Sequence, residues 1–271
     1  MKRLIFNIII AAVIFLATGC VKELRDNCPC FLYIDLSELG PEIEHADVWF
    51  DNDGGALEDE IWVEYSDFRK TLTARVRKGF TNLYAGGNIK SAYVDRIDKR
   101  IDNGMGPDSL YAFHIGIPTR CEDAWVKVKM EREFTPLTIH TTGRDVSQSN
   151  VDIRLTGVNT QYHLDGSIAG NKGILHPKQI AVPTSQEPYF SHYIAIPRQN
   201  DLASVALDVN YAVKGESREL ECPIGRMLSD AGAVMDKENG EPVEIWLNDG
   251  STHATLNVKV WNIEREIEIT F

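Results

Sequence analysis

The sequence lacks the constellations that announce an enzyme. It has no G-x-S-x-G, no H-E-x-x-H, no Gly-rich phosphate loop and no G-x-G-x-x-G. Its seven histidines, His45, His114, His140, His163, His176, His192 and His253, never stand four apart, so no helix face offers a metal a histidine pair. Acids are plentiful, but nothing marks any two of them as a catalytic pair. Cations are few: 28 Lys and Arg face 40 Asp and Glu, for a net charge of −12. That balance argues against nucleic acid as a partner, because phosphate binding needs clustered Lys and Arg. Helical periodicity is scarce, with only Ser91–Arg100 and Pro223–Ala233 reading as helices. The apolar run from Ile8 to Ala17 is shorter than the about 20 residues that span a bilayer.

What that run does have is context. Lys2 and Arg3 precede it and Ala17-Thr18-Gly19-Cys20 follows it, which reads as a bacterial lipoprotein signal. Cleavage removes residues 1–19 and leaves Cys20 as a lipidated N-terminus, with 20–29 as the tether. Plain secretion with cleavage nearby is the other reading of the same segment. Removing Lys2 and Arg3, and no acid, moves the charge from −12 to −14. Each buried CH₂ of an acyl chain contributes about 0.8 kcal/mol, and stable anchoring needs more than one chain, which a multiply acylated cysteine supplies. Besides Cys20 the chain carries Cys28, Cys30, Cys121 and Cys222, an even set in a compartment that permits disulfides. A Cys28–Cys30 ring through Pro29 is strained, so the sequence favours links from this pair to Cys121 or Cys222. With one C-x-C and no second close pair, neither a zinc site nor any cofactor is expected.

Beyond Cys30 apolar residues recur with period two between Gly, Pro, Asn and Asp breaks, the pattern of half-buried strands. Leu72, Ala74 and Val76 alternate with Thr71, Thr73 and Arg75, and Val126, Val128 and Met130 alternate with Lys127 and Lys129. Val151, Ile153 and Leu155, then Val205 to Val213, then Leu256, Val258 and Val260, and finally Ile267, Ile269 and Phe271 repeat it. Many short strands with frequent turns predict an all-β sandwich or barrel. The polar stretch Thr141–Asn150 predicts a division into residues 30–145 and 146–271. Asp51-Asn52-Asp53-Gly54-Gly55 invites a calcium loop, but glycine falls at its fourth and fifth positions and Trp62 at its twelfth. Flanked by Val48–Phe50 and Ile61–Val63, it reads as a hairpin turn. Trp49, Trp62, Trp125, Trp246 and Trp261 are the tryptophan candidates for an exposed aromatic platform, but Trp125 and Trp261 border alternating strands and read as structural core.

Cys28-Pro29-Cys30-Phe31-Leu32-Tyr33-Ile34 puts a cysteine directly before a strand, and Ala46-Asp47-Val48-Trp49-Phe50-Asp51-Asn52-Asp53-Gly54 follows as a hairpin. Next come Leu72, Ala74, Val76, Gly79 and Asn82-Leu83-Tyr84-Ala85-Gly86-Gly87-Asn88; further on are Asp108-Ser109-Leu110-Tyr111, the strand Trp125–Met130 and Val258-Lys259-Val260-Trp261-Asn262. Together these resemble the FimB/Mfa2 family, the anchor and accessory subunits of Bacteroidetes fimbriae. The resemblance implies two tandem transthyretin-like, Greek-key β-sandwich domains behind a lipoprotein signal peptide. It also implies an outer-membrane lipoprotein that holds a fimbrial stalk or its accessory subunits by β-strand addition. The strand carrying Ile267, Ile269 and Phe271 reads first as an internal strand of the second sandwich, and as the strand-pairing edge in the alternative reading. Asp108-Ser109-Leu110 resembles the O-glycosylation acceptor of exported Bacteroidetes proteins, with Ser109 as acceptor. A surface glycan-binding lipoprotein and a minor tip adhesin are the competing readings. An enzyme is not expected.

Overall fold

Where apolar side chains recur every second residue, one face of a strand becomes apolar and two such faces close on each other. The computed structural model describes residues 28–52, 54–89, 93–102, 110–143, 151–170, 172–180, 189–213, 216–235, 240–249, 253–260 and 263–270. The chain opens with strands β1 (Cys30–Asp35), β2 (His45–Asn52), β3 (Asp59–Glu64), β4 (Leu72–Val76), β5 (Phe80–Gly87), β6 (Val94–Asp95), β7 (Arg100–Asp102), β8 (Tyr111–Pro118), β9 (Asp123–Lys127) and β10 (Glu131–Arg132). A three-stranded sheet in the order β4-β1-β9 faces a five-stranded sheet in the order β10-β8-β5-β2-β3. Leu32, Ile34, Val76 and Val126 of the first meet Val48, Phe50, Leu83 and Ile117 of the second in one buried core.

The chain continues through β11 (Phe134–Gly143), β12 (Asp152–Asn159), β13 (Gln161–His163), β14 (Lys172–Leu175), β15 (Lys178–Ile180), β16 (Tyr189–Pro197), β17 (Ala206–Val213), β18 (Glu216–Cys222), helix α1 (Ile224–Asp230), β19 (Val243–Asp249), β20 (His253–Val260) and β21 (Ile263–Thr270). A six-stranded sheet, β15-β16-β11-β19-β20-β21, packs on a four-stranded one, β14-β12-β17-β18. Leu137, Ile139, Ile194 and Ile245 meet Leu155, Leu207, Val209 and Leu220 between them, and Ile224, Met227 and Leu228 of α1 join the same core.

The all-β sandwich expectation stands, and the predicted helix at Pro223–Ala233 is present as α1. Of the predicted helix at Ser91–Arg100, residues 91 and 92 lie outside the described residues, and 94–100 form a hairpin with β6 and β7 paired antiparallel. The Asp95 carboxylate accepts hydrogen bonds from the backbone N–H groups of Ile97 and Asp98, and Lys99 turns the chain at φ 51°. That local turn outcompetes a helix. Just after Glu133, β11 begins and pairs along its length with β16 and β19, so Thr141–Gly143 of the expected boundary lie in a strand, and its residues 144–150 lie outside the described residues. Thr138, His140 and Thr142 lie half-buried on the outer face of β11 while Leu137 and Ile139 face the core. Glu133 itself is fixed by backbone bonds to Leu110 and Arg198 and by an ion pair to Arg198 Nη1 at 2.7 Å.

The hairpin expected around Asp51–Gly55 is also present, with β2 and β3 antiparallel. Asp51 is fully buried; its carboxylate accepts hydrogen bonds from Lys99 Nζ, Asn82 Nδ2 (2.8 Å) and the Gly54 N–H (2.9 Å). Burial works against its charge, but the hydrogen bonds from Lys99, Asn82 and Gly54 outweigh it and hold its pKa below the ordinary aspartate value. Removing one partner of a buried pair costs about 3 kcal/mol or more. Lys99→Met is therefore expected to lower unfolding stability by about 3 kcal/mol in denaturant titrations, whereas exposed Lys70→Met, whose partner Asp67 is also exposed, changes it by under about 1 kcal/mol.

Candidate functional site

Of the residues singled out in sequence, Cys20, Ser109 and Phe271 lie outside the described residues, as does Trp261. Of the remaining cysteines two are buried, one in each core, and two are exposed. Cys30 is buried at the start of β1, with Cys28 exposed just before it and Cys121 exposed just before β9. Cys222 is buried in the second core, among residues that do not include the other three. All four are present as thiols. Burial pushes the Cys222 thiol up to about 12, with Asp208 and Glu221 adding to it, and burial also raises Cys30.

For a protein without catalytic constellations, sheet edges and outer faces are where chemistry can happen. The edges among the described strands are β4 and β9, β10 and β3, β15 and β21, β14 and β18, and, in the small sheet β13-β7-β6, β13 and β6. The predicted pairing strand, β21, is one of them. It pairs with β20 from Ile263 to Thr270 and carries Ile267 and Ile269, with its other side unpaired by any described strand. Beside β3, the His45 ring lies 6.2 Å from that of Trp62, which is 56% exposed. The Ser–His contact between His140 Nδ1 and Ser191 Oγ, at 2.7 Å, belongs to a stack of His140 on Trp246, and Ser191 is buried beyond the reach of a substrate.

One reading is overturned. Trp125 is not core; it is the most exposed of the described tryptophans, at 69%. Ala124 and Val126 take the inner positions of β9, which turns Asp123, Trp125 and Lys127 outward. The parity of Val126 carried this signal, and indole hydrophobicity masked it.

No family model matches the sequence, and no curated protein matches it. Among solved structures, the fimbrial anchor protein Mfa2 of Porphyromonas gingivalis superimposes with a TM-score of 0.59 at 12% identity, covering 90% of this chain and 100% of that one. The fold is that of Mfa2. The same fold is found in a proposed polysaccharide-binding protein of Bacteroides thetaiotaomicron, with a TM-score of 0.61, 9% identity and coverage of 88% of this chain and 98% of that one. It recurs in a proposed adhesin of the same species, with a TM-score of 0.57, 13% identity and coverage of 89% and 98%. Identities this low carry the fold and leave the chemistry to this chain's own residues.

Within this Mfa2-type fold, Asp47 is the electrostatic anomaly. It is 1% exposed on β2, and neither carboxylate oxygen has a hydrogen-bond partner; His45 Nε2 stands 4.0 Å away. Burial pushes its pKa up to about 6, with His45 pulling it down and Glu60 adding to the rise. Below the unfolded value of 3.8 the carboxyl is neutral in both states. As pH climbs from there to about 6 the unfolded chain ionises first, so stability falls, and above about 6 the loss is complete at about 3 kcal/mol. Asp47→Asn is therefore expected to be more stable than the wild type at pH 7.5 by up to about 3 kcal/mol, with the difference vanishing near pH 4. Thermal melts across that range check it; a difference that stays constant with pH would show that Asp47 does not titrate this way.

Proposed function

We propose that this chain is a lipid-anchored outer-membrane subunit of a fimbria, an anchor or accessory piece on which a stalk is based. The observation that carries the reading is the likeness of fold to Mfa2 along that anchor's whole length. The N-terminal segment supports it: Lys2, Arg3, the run Ile8–Ala17 and Cys20 supply a route to the membrane that needs no spanning helix. In this reading each sheet pair with its own core is one domain, and Glu133 is the joint between them.

Attachment to the stalk proceeds by strand addition, in which main-chain hydrogen bonds supply affinity and alternate side chains supply specificity. Strand β21 is suited to this because it is long for an edge, from Ile263 to Thr270. The four cysteines narrow to one candidate group: Cys28, Cys30 and Cys121 belong to the start of the first sheet pair, so any disulfide forms among these and leaves Cys222 reduced.

Cys20→Ala is expected to leave fimbriae assembled but shed into the medium, counted by immunoblot of cell and supernatant fractions. Release of the protein with fimbriae still on the cells contradicts the anchor reading. Deleting residues 263–271 tests the edge. The donor reading expects a cooperative melt with loss of stalk retention, and a chain that no longer folds assigns β21 to the subunit's own sheet.

A further inference from the structure

The outer face of the β4-β1-β9 sheet carries a feature that strand addition leaves unused. Alternation turns Phe31 and Tyr33 of β1, Thr73 and Arg75 of β4, and Asp123, Trp125 and Lys127 of β9 away from the core. Register sets Tyr33 opposite Trp125 and Phe31 opposite Arg75. The Tyr33 and Trp125 rings stack, with centroids 4.3 Å apart and planes 17° from parallel, while the Arg75 guanidinium lies 5.6 Å from the Phe31 centroid. The stack occupies one face of the indole. Since β9 is the edge strand, the other face of Trp125 opens outward with no described strand beyond it.

We infer that this face is a saccharide-binding site, with the open face of Trp125 as the platform for a neutral pyranose ring. The ring face of a pyranose is a patch of C–H groups, and its hydroxyls radiate around the rim. The site has the matching layout. Asp123 and Lys127 lie on either side of Trp125 along the strand, each about 7 Å away, and both are exposed. One accepts and the other donates hydrogen bonds. Lys127 is held in place by Glu38 at 2.7 Å, which adds a second carboxylate to that rim. Ordered rings give large contact area at low entropic cost, because the cross-strand stack fixes the indole before any ligand arrives.

A β-strand is the poorer occupant. Strand β9 has only 5 residues, and the charges of Asp123 and Lys127 sit on it in the pattern that discourages edge pairing. A protein partner of ordinary affinity buries about 800 Å² per side around an apolar centre, whereas here three rings are interrupted by charges.

This inference does not rest on the fimbrial reading, and the experiment separates the two. Full-length protein in a polyoxyethylene detergent is run on native gels containing soluble yeast mannan, dextran, laminarin or xylan. The wild type is expected to be retarded by at least one of them. Trp125→Ala should weaken that binding at least tenfold, and Tyr33→Ala and Asp123→Ala several-fold. Trp62→Ala, which removes another exposed indole, should leave it unchanged, and melting curves confirm that each variant is folded. Cells carrying Trp125→Ala should keep their fimbriae. Failure of all four polysaccharides to retard the wild type overturns the site. So does equal loss in Trp62→Ala and Trp125→Ala, or full retention in Trp125→Ala with Asp123→Ala also unaffected.

Discussion

Trp49 has no exposed surface because β2 is covered on both sides, and that double burial is the constraint the rest of the architecture serves. Ala46, Val48 and Phe50 face the first core, which is ordinary for a sandwich strand. Asp47, Trp49 and Asp51 face the other way, and a sheet whose second face holds a tryptophan needs a second cover. The cover comes from two distant parts of the chain. The β6–β7 hairpin supplies Ile101, and β13 together with the residue after it supplies Tyr162 and Leu164, which reach back from beyond Glu133 to the same cluster. Backbone bonds from Leu164 N–H to Lys99 and from Leu57 N–H to Arg96 hold that cover down. The two sheet pairs are thus joined by the burial of one indole as well as by the Glu133–Arg198 ion pair.

The same burial explains where polar groups are poorly served. Buried polar atoms ordinarily find partners, and each that does not costs free energy. Trp49 Nε1 and both Asp47 carboxylate oxygens have none, whereas Asp51, a few residues along the same face, has three donors. The difference lies in the cover. Lys99, at the left-handed position of the β6–β7 turn, reaches Asp51 and passes within 5.4 Å of the Tyr84 centroid. Among the described residues no such donor reaches Asp47, whose nearest opposite charge is the partly exposed His45.

Much of the fold was legible in sequence because period two is a local signal. Leu72 to Val76, Ile153 and Leu155, and Val205 to Tyr211 face the cores as the alternation predicts. What failed was non-local. A strand buried on both faces reads as hydrophobic alternation with polar gaps, so the burial of Asp47 and Asp51 left no mark in their own segment. The pairing of β13 with β7 spans about sixty residues and has no local signature. Thr141 and Thr142, read as the start of a boundary, lie in β11, where threonine suits the pleated surface of a sheet.

The site follows the same logic with the opposite sign. Trp125 was legible, since Val126 inward forces Trp125 outward, and only the habit of placing indoles in cores hid it. Trp49 and Trp125 thus lie on the two outer faces of one sandwich. On the five-stranded sheet the indole of Trp49 is roofed by chain from both halves and becomes structure. On the three-stranded sheet no described segment covers Trp125 in that way, and it stands 69% exposed on an edge strand between Asp123 and Lys127. A sandwich that spends chain length to roof Trp49 while Trp125 stays 69% exposed uses its two outer faces unequally.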